Sequence, residues 1–204
     1  MFVLGLTGGI GTGKSQVGEI LAGLGASIIN ADTLGHKVYE PDTDGWAEVV
    51  NAFGEDVLSP TREVDRKKLG GVVFSDPRAL ERLNAIMHPR IYGLIEDEIE
   101  VLKETGRGEV VVEAALLIEA GWTPLVDEIW VTTSPEEFVV ERLQKRNGLS
   151  EEAIRARIAS QMSQEERIKH ASEVIDNSSS LSELGRQVQQ LWEHRVKTNK
   201  ESRP

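Results

Sequence analysis

The feature that most constrains this chain is an apolar run that leads directly into a glycine-rich loop and then into an amphipathic segment. Residues 1–7 are mostly apolar, and five glycines lie between positions 5 and 13. Apolar residues then recur at helical spacing, at Val17, Ile20, Leu21 and Leu24. A second apolar run, residues 26–29, ends at Asn30, Ala31 and Asp32. This order predicts a strand, a loop, a helix and a second, parallel strand.

The loop matches the phosphate-binding P-loop pattern, Gly8-x-x-x-x-Gly13-Lys14-Ser15. Glycines allow successive N–H groups to point into one cavity, and the following helix adds its positive end. Lys14 is predicted to reach the β- and γ-phosphates, and the Ser15 hydroxyl to coordinate Mg²⁺. We therefore predict that ATP binds at Gly11, Thr12, Gly13, Lys14, Ser15 and Gln16. The alternative is a glycine-rich turn with a solvated lysine.

A GTPase is a weak interpretation of this loop. The base-reading pattern Asn-Lys-x-Asp is missing, since the only Asn-Lys pair, Asn199-Lys200, is followed by Glu201. Asp32-Thr33-Leu34-Gly35 resembles the GTPase Asp-x-x-Gly, but it follows the loop too closely for that role. Small-molecule kinases and other ATP-binding proteins remain open.

Composition excludes several other classes. The formal net charge is −11, which disfavours nucleic acid and anionic membrane surfaces as partners, because both bind clustered Lys and Arg. The chain has no cysteine, so thiolate chemistry and Cys-based metal sites are excluded. We find no pattern of a signal peptide or membrane span at the N-terminus. We expect a soluble cytoplasmic protein, with a monomer favoured.

The rest of the chain predicts an α/β fold of the P-loop NTPase type: three layers, a five-stranded parallel sheet, an inserted helical acceptor domain and a helical lid. Residues 109–113, 128–132 and 173–177 supply the later strands, whereas residues 33–108 give helical signals, including expected helix starts at Asp76-Pro77 and His88-Pro89. The predicted division is a nucleotide-binding core at 1–32, 109–140 and 171–196, an insertion at 33–108, a lid at 141–170 and a disordered tail at 197–204.

Asp32 is our candidate for the catalytic base. It follows the second strand, and ligands of open α/β sheets bind at the carboxyl ends of strands. Phosphoryl transfer to a hydroxyl benefits from a carboxylate that orients the nucleophile and accepts its proton. The alternative is that Asp32 caps a helix that starts near Leu34.

Residues 142–170 form a basic island in an acidic chain, with seven Lys or Arg against four Glu. Arg157 and Gln161 are spaced i, i+4 and are expected to share a helix face. Arginines on a mobile helical pair could close over the triphosphate and neutralise charge in the transition state. The alternative is a solvated helix face with ordinary ion pairs.

Several spaced motifs make the chain resemble dephospho-coenzyme A kinases from Leu4 to about Asn177. They are GLTGGIGTGKS at 5–15, Asn-Ala-Asp at 30–32, FGEDVL at 53–58, VDRKKLGGVVF at 64–74, LNAIMHPRI at 83–91, EAALLIEAG at 113–121, RLQKRNG at 142–148, RIASQ at 157–161 and VIDN at 174–177. The resemblance implies that ATP phosphorylates the ribose 3′-hydroxyl of dephospho-coenzyme A, the last step of coenzyme A synthesis.

The resemblance also implies roles for single residues. Asp32 matches the family's catalytic base, Arg142 and Arg146 match arginines of the closing lid, and Asn177 lies in the segment that reads the adenine. Substrate-binding residues are expected in the insertion at Asp65, Arg66 and His88. A basic cluster there could meet the acceptor's pyrophosphate, or could be solvated: Arg62, Arg66, Lys67 and Lys68.

Four positions are unusual. Asn30 stands where the family usually has Asp, Gln16 replaces a usual Thr, and Ala115 replaces a usual Pro. Gly18 lies inside the predicted first helix, at a cost of about 1 kcal/mol relative to Ala. Two rivals stay open: another small-molecule kinase of the same fold, such as a nucleoside monophosphate kinase, and a regulator that senses ATP without transferring phosphate.

Overall fold

The computed structural model describes the backbone of residues 1–201 and the side chains of residues 1–196. The chain divides into two compact units, one formed by Met1–Ile29 with Val101–Pro204 and the other by Asn30–Glu100. The predicted insertion, residues 33–108, begins and ends a few residues later than the second unit. Within the described residues, no helix is long and apolar enough to cross a membrane.

A five-stranded parallel sheet forms the centre of the first unit, as predicted. Its strands are β1 (Phe2–Gly8), β2 (Ser27–Asn30), β3 (Glu109–Glu113), β4 (Glu128–Thr133) and β5 (Glu173–Asp176). The order across the sheet is β2-β3-β1-β4-β5. β1 pairs in parallel with β3 on one side and with β4 on the other, and β4 pairs in parallel with β5. The strand that follows the loop helix, β2, is therefore separated from β1 by β3.

The main core packs two helices against one face of this sheet. Alternate residues of β1 share that face because successive side chains of a strand point to opposite sides. Helices α1 (Lys14–Gly23) and α9 (Leu181–Glu201) contribute the residues that pack against this face. The buried residues of this core include Phe2, Leu4, Leu6, Val17, Leu21, Trp130, Ile175, Leu184, Val188 and Trp192. Burial of this set holds the glycine loop between two rigid elements, β1 and α1.

The C-terminal helix enters the stretch that we predict to be a tail. The backbone of α9 is helical to Glu201, whereas the predicted tail starts at Lys197. Residues 202–204 and the side chains from 197 onward lie outside the described part. The predicted disordered tail is therefore wrong for the backbone of residues 197–201, and it stays a prediction for residues 202–204.

The second unit is helical, with α2 (Ala31–Val38), α3 (Asp44–Phe53), α4 (Arg66–Val73) and the first part of α5 (Pro77–Glu104). Its one described β-bridge joins Leu58 to Val64 in antiparallel fashion. Asp76 accepts a hydrogen bond from the Arg78 N–H at 2.9 Å, so the expected helix start at Asp76-Pro77 is confirmed.

The second expected start, at His88-Pro89, is wrong, because α5 continues through Pro89. A proline in a helix removes one N–H and crowds the carbonyl one turn earlier. A neighbouring carbonyl of that turn, the one of Ile86, accepts a hydrogen bond from the Arg90 guanidinium at 2.7 Å. Buried residues continue at helical spacing across the proline: Ile86, Met87, Ile91, Ile95 and Ile99. Packing of this apolar stripe outweighs the local cost.

Three helices follow β4: α6 (Glu136–Asn147), α7 (Glu151–Ala159) and α8 (Gln164–Ile168). A small buried cluster of Val139, Val140, Leu143 and Ile154 joins α6 to α7, and Ile10 of the glycine loop packs against it. Since α7 ends at Ala159, Gln161 lies beyond the helix. The expectation that Arg157 and Gln161 share a helix face is therefore wrong.

Candidate active site

Two glycines of the loop adopt backbone conformations that other residues rarely take. Gly11 has φ 74° and Gly13 has φ 98°, both in the left-handed region. A side-chain carbon on Gly13 would stand 2.0 Å from the amide nitrogen of Asn177. Because α1 begins at the next residue, Lys14, this turn places the loop at the positive end of a helix.

Lys14 and Thr12 hold the loop in shape. The Lys14 ammonium donates to the carbonyls of Gly8 and Gly9, at 2.9 and 3.4 Å. The Thr12 hydroxyl donates to the Gly9 carbonyl at 2.8 Å and lies 2.8 Å from the hydroxyl of Thr132, which stands on β4. These bonds connect the end of the loop to its beginning, so the Lys14 charge lies beside Gly8 and Gly9.

Ser15 is paired with a carboxylate that sequence reasoning missed. Its hydroxyl donates to Glu113 Oε1 at 2.9 Å, and Glu113, the last residue of β3, is only 8% exposed. A side-chain carbon on Gly18 would stand 3.0 Å from Glu113 Oε2, which explains a glycine inside α1. The sequence does indicate a role for Glu113, because ligands of parallel sheets bind at the carboxyl ends of strands and Glu113 is an acid at such an end.

Asn177 joins the loop to α6. Its side chain, 2% exposed, donates to the Thr12 carbonyl at 3.0 Å and to Gln16 Oε1 at 3.3 Å. Arg142 in turn donates to the Asn177 carbonyl at 2.7 Å and to the Ser134 hydroxyl at 3.3 Å. The structure therefore brings together five residues for which we predict nucleotide contacts: Thr12, Gly13, Gln16, Arg142 and Asn177.

Arg146 is placed differently. It lies one turn beyond Arg142 on α6 and is exposed, and its Nε donates to Asn147 Oδ1 at 3.0 Å. No hydrogen bond or ion pair found among the described residues joins it to the loop. Its role in the lid stays a prediction.

A different arginine, Arg167 on α8, lies beside the loop. It is 2% exposed and forms an ion pair with Glu119, which belongs to the segment after β3. Arg167 also lines a cavity of about 430 Å³ with Gly9, Ile10 and Thr12 of the loop. Arg167 belongs to the basic island of residues 142–170, but its sequence context predicts no specific role for it.

In the second unit, Asp32 is not a helix cap. Asn30 caps α2, since its side-chain oxygen accepts from the Thr33 N–H at 2.9 Å, and Asp32 is the second residue of that helix. The capping alternative for Asp32 is therefore wrong. Desolvation lowers the pKa of His36, one turn later; the Arg66 charge lowers it further, and the Asp32 carboxylate opposes both. Asp32, His36 and Arg66 are thus close enough to interact electrostatically.

Asp65 and His88 also have structural settings. Asp65 caps α4, with Oδ1 accepting from the N–H groups of Lys67 and Lys68 at 2.9 and 3.1 Å. Burial lowers the pKa of His88, which stands on α5 directly before Pro89. Substrate binding by these residues and by Arg66 stays a prediction.

Replacing Asp65 with alanine is expected to lower the free energy of unfolding by about 1 kcal/mol, because two N–H groups of α4 lose their acceptor. Urea denaturation measures this change. Asp97→Ala, at an exposed position inside α5, is the control and should not lower the free energy of unfolding, because alanine is the better helix former. A neutral Asp65→Ala would show that the cap contributes nothing to stability.

The glycine loop, its lysine and serine, and the buried carboxylate at the end of β3 define a nucleotide-binding protein of the P-loop class on a parallel α/β sheet. The chain matches the family model described as Dephospho-CoA kinase over residues 2–183. It belongs to the dephospho-CoA kinase family. Dephospho-CoA kinases from Geobacter sulfurreducens and Dehalococcoides mccartyi are 44% and 42% identical to it, with 96% of this chain covered in both and 99% and 98% of theirs.

Solved structures agree with this assignment. The crystal structure of TT1252 from Thermus thermophilus superimposes with a TM-score of 0.81 at 33% identity, covering 95% of this chain and 97% of that one. Dephospho-CoA kinase from Campylobacter jejuni gives 0.72 at 29% identity, with 97% and 98% covered. A shikimate kinase from Bacteroides thetaiotaomicron, at 12% identity and 0.56, shares the fold alone.

Proposed function

We propose that this protein transfers the γ-phosphoryl group of ATP to the ribose 3′-hydroxyl of dephospho-coenzyme A. The observation that carries the proposal is the convergence of Lys14, the Ser15–Glu113 pair and the Arg142–Asn177 pair around one glycine loop. Membership of the dephospho-CoA kinase family supplies the acceptor. The product of this step is coenzyme A.

In the proposed reaction, the 3′-oxygen of the acceptor forms a bond to the γ-phosphorus, and the bond from that phosphorus to the β–γ bridging oxygen breaks. ADP leaves, and the hydroxyl proton passes to the Asp32 carboxylate. Lys14 neutralises charge on the β- and γ-oxygens, where it develops. Asp32 is supported by its place directly after β2 and by the family resemblance.

The Ser15–Glu113 pair fits a magnesium site. A hydroxyl and a carboxylate are hard oxygen donors, which Mg²⁺ prefers, and they lie 2.9 Å apart at the start of α1. Ser15 would bind the ion, and Glu113 would bind it directly or through water. Magnesium supplies charge neutralisation on the phosphate oxygens.

Replacing Glu113 with glutamine is expected to raise the Mg²⁺ concentration for half-maximal activity by about 10- to 100-fold, because the site loses its carboxylate. A magnesium titration at saturating ATP measures this shift. Glu109→Gln, at the opposite end of β3, is the control and should leave the titration unchanged. An unchanged titration for Glu113→Gln would remove this carboxylate from the metal site.

In this proposal, dephospho-coenzyme A binds to the second unit. Two members of its basic cluster are held in place: Lys68 donates to the Leu58 carbonyl at 2.7 Å, and the Arg62 guanidinium lies 5.0 Å from the Trp46 ring centre. Arg66 and Lys67 are exposed at the start of α4. We propose that this end of α4 meets the acceptor's pyrophosphate, with Asp65 and His88 nearby in the bound state. The cytoplasmic location and monomeric state stay predictions.

Product analysis tests the proposed reaction. The protein, ATP, Mg²⁺ and dephospho-coenzyme A should yield ADP and coenzyme A in equal amounts, with a new monoester resonance in the ³¹P NMR spectrum. ATP hydrolysis without a new phosphomonoester would contradict it. Binding of ATP with no turnover would favour the regulator.

A further inference from the structure

Arg167 is a buried cation next to the glycine loop. It stands on the short helix α8 and is 2% exposed. One terminal nitrogen, Nη2, pairs with Glu119 Oε1. The other, Nη1, lies 3.6 Å from the position that a side-chain carbon of Gly9 would take. The guanidinium therefore bridges the segment after β3 and the second residue of the loop.

This part of the loop is where the terminal phosphate belongs. Lysines of such loops reach the β- and γ-phosphates, and the Lys14 ammonium lies at the carbonyls of Gly8 and Gly9. The amides near α1, at the other end of the loop, cradle the inner phosphates. Arg167 Nη1, beside Gly9, is therefore on the γ side of the site.

Gln161 binds the stretch between α7 and α8, which we call the lid segment, to the same part of the glycine loop. Its side-chain oxygen accepts a hydrogen bond from the Ile10 N–H at 2.8 Å. The same oxygen lies 3.6 Å from the position that a side-chain carbon of Gly9 would take, which is also the distance of Arg167 Nη1 from that position. The stretch between α7 and α8 is thus bound to the loop only a few residues before Arg167, which limits where the guanidinium can stand.

Arg167 retains unused hydrogen-bonding capacity. Its Nε is buried and has no hydrogen-bond partner among the described residues. Buried polar groups are normally satisfied, and an ionised donor forms its strongest hydrogen bonds with anionic oxygens. Arg167 also lines the cavity of about 430 Å³ that opens at Gly9, Ile10 and Thr12. A phosphate oxygen in this cavity would offer the guanidinium an anionic acceptor.

We propose that Arg167, oriented by Glu119, binds the γ-phosphate of ATP, and that Gln161 positions the lid segment from which it extends. The inference rests on the proposed use of ATP. Arg142 donates to the Asn177 carbonyl and Arg146 is exposed, whereas Arg167 is buried beside Gly9.

The test compares two nucleotides that differ in that phosphate. We measure dissociation constants by calorimetry, with Mg²⁺ and without acceptor, for ADP and for the β,γ-imido analogue of ATP. Arg167→Lys is expected to weaken the analogue by at least about 10-fold and ADP by less than about 3-fold, because a point charge replaces a planar fork. Arg155→Lys, exposed on α7 and paired with Glu151, is the control and should change neither.

A double variant removes the concern that an unpaired Glu119 prevents folding. Arg167→Gln with Glu119→Gln eliminates both charges together, so neither group is left without its partner. It should keep cooperative thermal unfolding and show the same selective loss for the analogue. Equal losses for both nucleotides, or no loss, in the folded double variant would make Arg167 a structural brace and overturn the proposal. Because no acceptor is present, this result is independent of whether dephospho-coenzyme A is the substrate.

Discussion

Replacing Lys14 with alanine is expected to lower turnover by at least about 10³-fold while the protein stays folded. The ammonium lies at the Gly8 and Gly9 carbonyls, 2.9 and 3.4 Å away, at the γ end of the loop. Charge that develops on the β- and γ-oxygens would lose a preorganised cation, and losses of single electrostatic contacts in such sites cost roughly 10²–10³ or more. Steady-state ADP release with dephospho-coenzyme A measures the effect.

The control for this variant is Lys145→Ala. Lys145 is exposed on α6, where it pairs with Glu141 one turn earlier. Its replacement therefore measures the effect on turnover of removing a lysine charge outside the loop. Its turnover should match that of the unmodified protein. Activity of Lys14→Ala within a few-fold of the unmodified protein would remove the glycine loop from the mechanism.

Replacing Asp32 with asparagine is expected to lower kcat by roughly 10²–10⁴-fold, the usual effect of losing a general base. ATP affinity should change little, because the carboxylate is assigned to the acceptor hydroxyl. The substitution should not unfold α2, whose cap is Asn30 and not Asp32. Single-turnover measurements with saturating acceptor separate the chemical step from binding.

Asp97→Asn, on the exposed surface of α5, is the matched control for Asp32 and should retain full activity. Loss of ATP binding in Asp32→Asn, with single-turnover chemistry intact, would contradict the role as a base and indicate a metal ligand. The structure has already excluded the capping explanation, so these two roles are the ones that the experiment distinguishes.

The glycine loop could be predicted from the sequence because its constraints are local. Positive φ angles at Gly11 and Gly13, a lysine and a serine at the helix start all lie within a few residues of one another. The parallel sheet followed from apolar runs of strand length. What the sequence could not supply was the strand order, which places Glu113 beside Ser15 although 98 residues separate them along the chain.

Local signals misled where long-range packing decided the outcome. His88-Pro89 has the features of a helix start, but the buried stripe from Ile86 to Ile99 keeps α5 continuous. The spacing of Arg157 and Gln161 suggests one helix face, but α7 ends at Ala159 and Gln161 instead binds the Ile10 amide. The contact between Arg167 and Glu119 joins two segments whose sequences give no sign of pairing.

The most direct test of the proposed function compares dephospho-coenzyme A with AMP as phosphoryl acceptors, because AMP keeps the adenosine and one phosphate but lacks the pantetheine arm. We predict that kcat/KM for dephospho-coenzyme A exceeds that for AMP by at least about 100-fold. That ratio requires about 3 kcal/mol of additional transition-state binding, which a few contacts along the arm can supply. Equal turnover of AMP would contradict the proposal and would indicate a nucleoside monophosphate kinase.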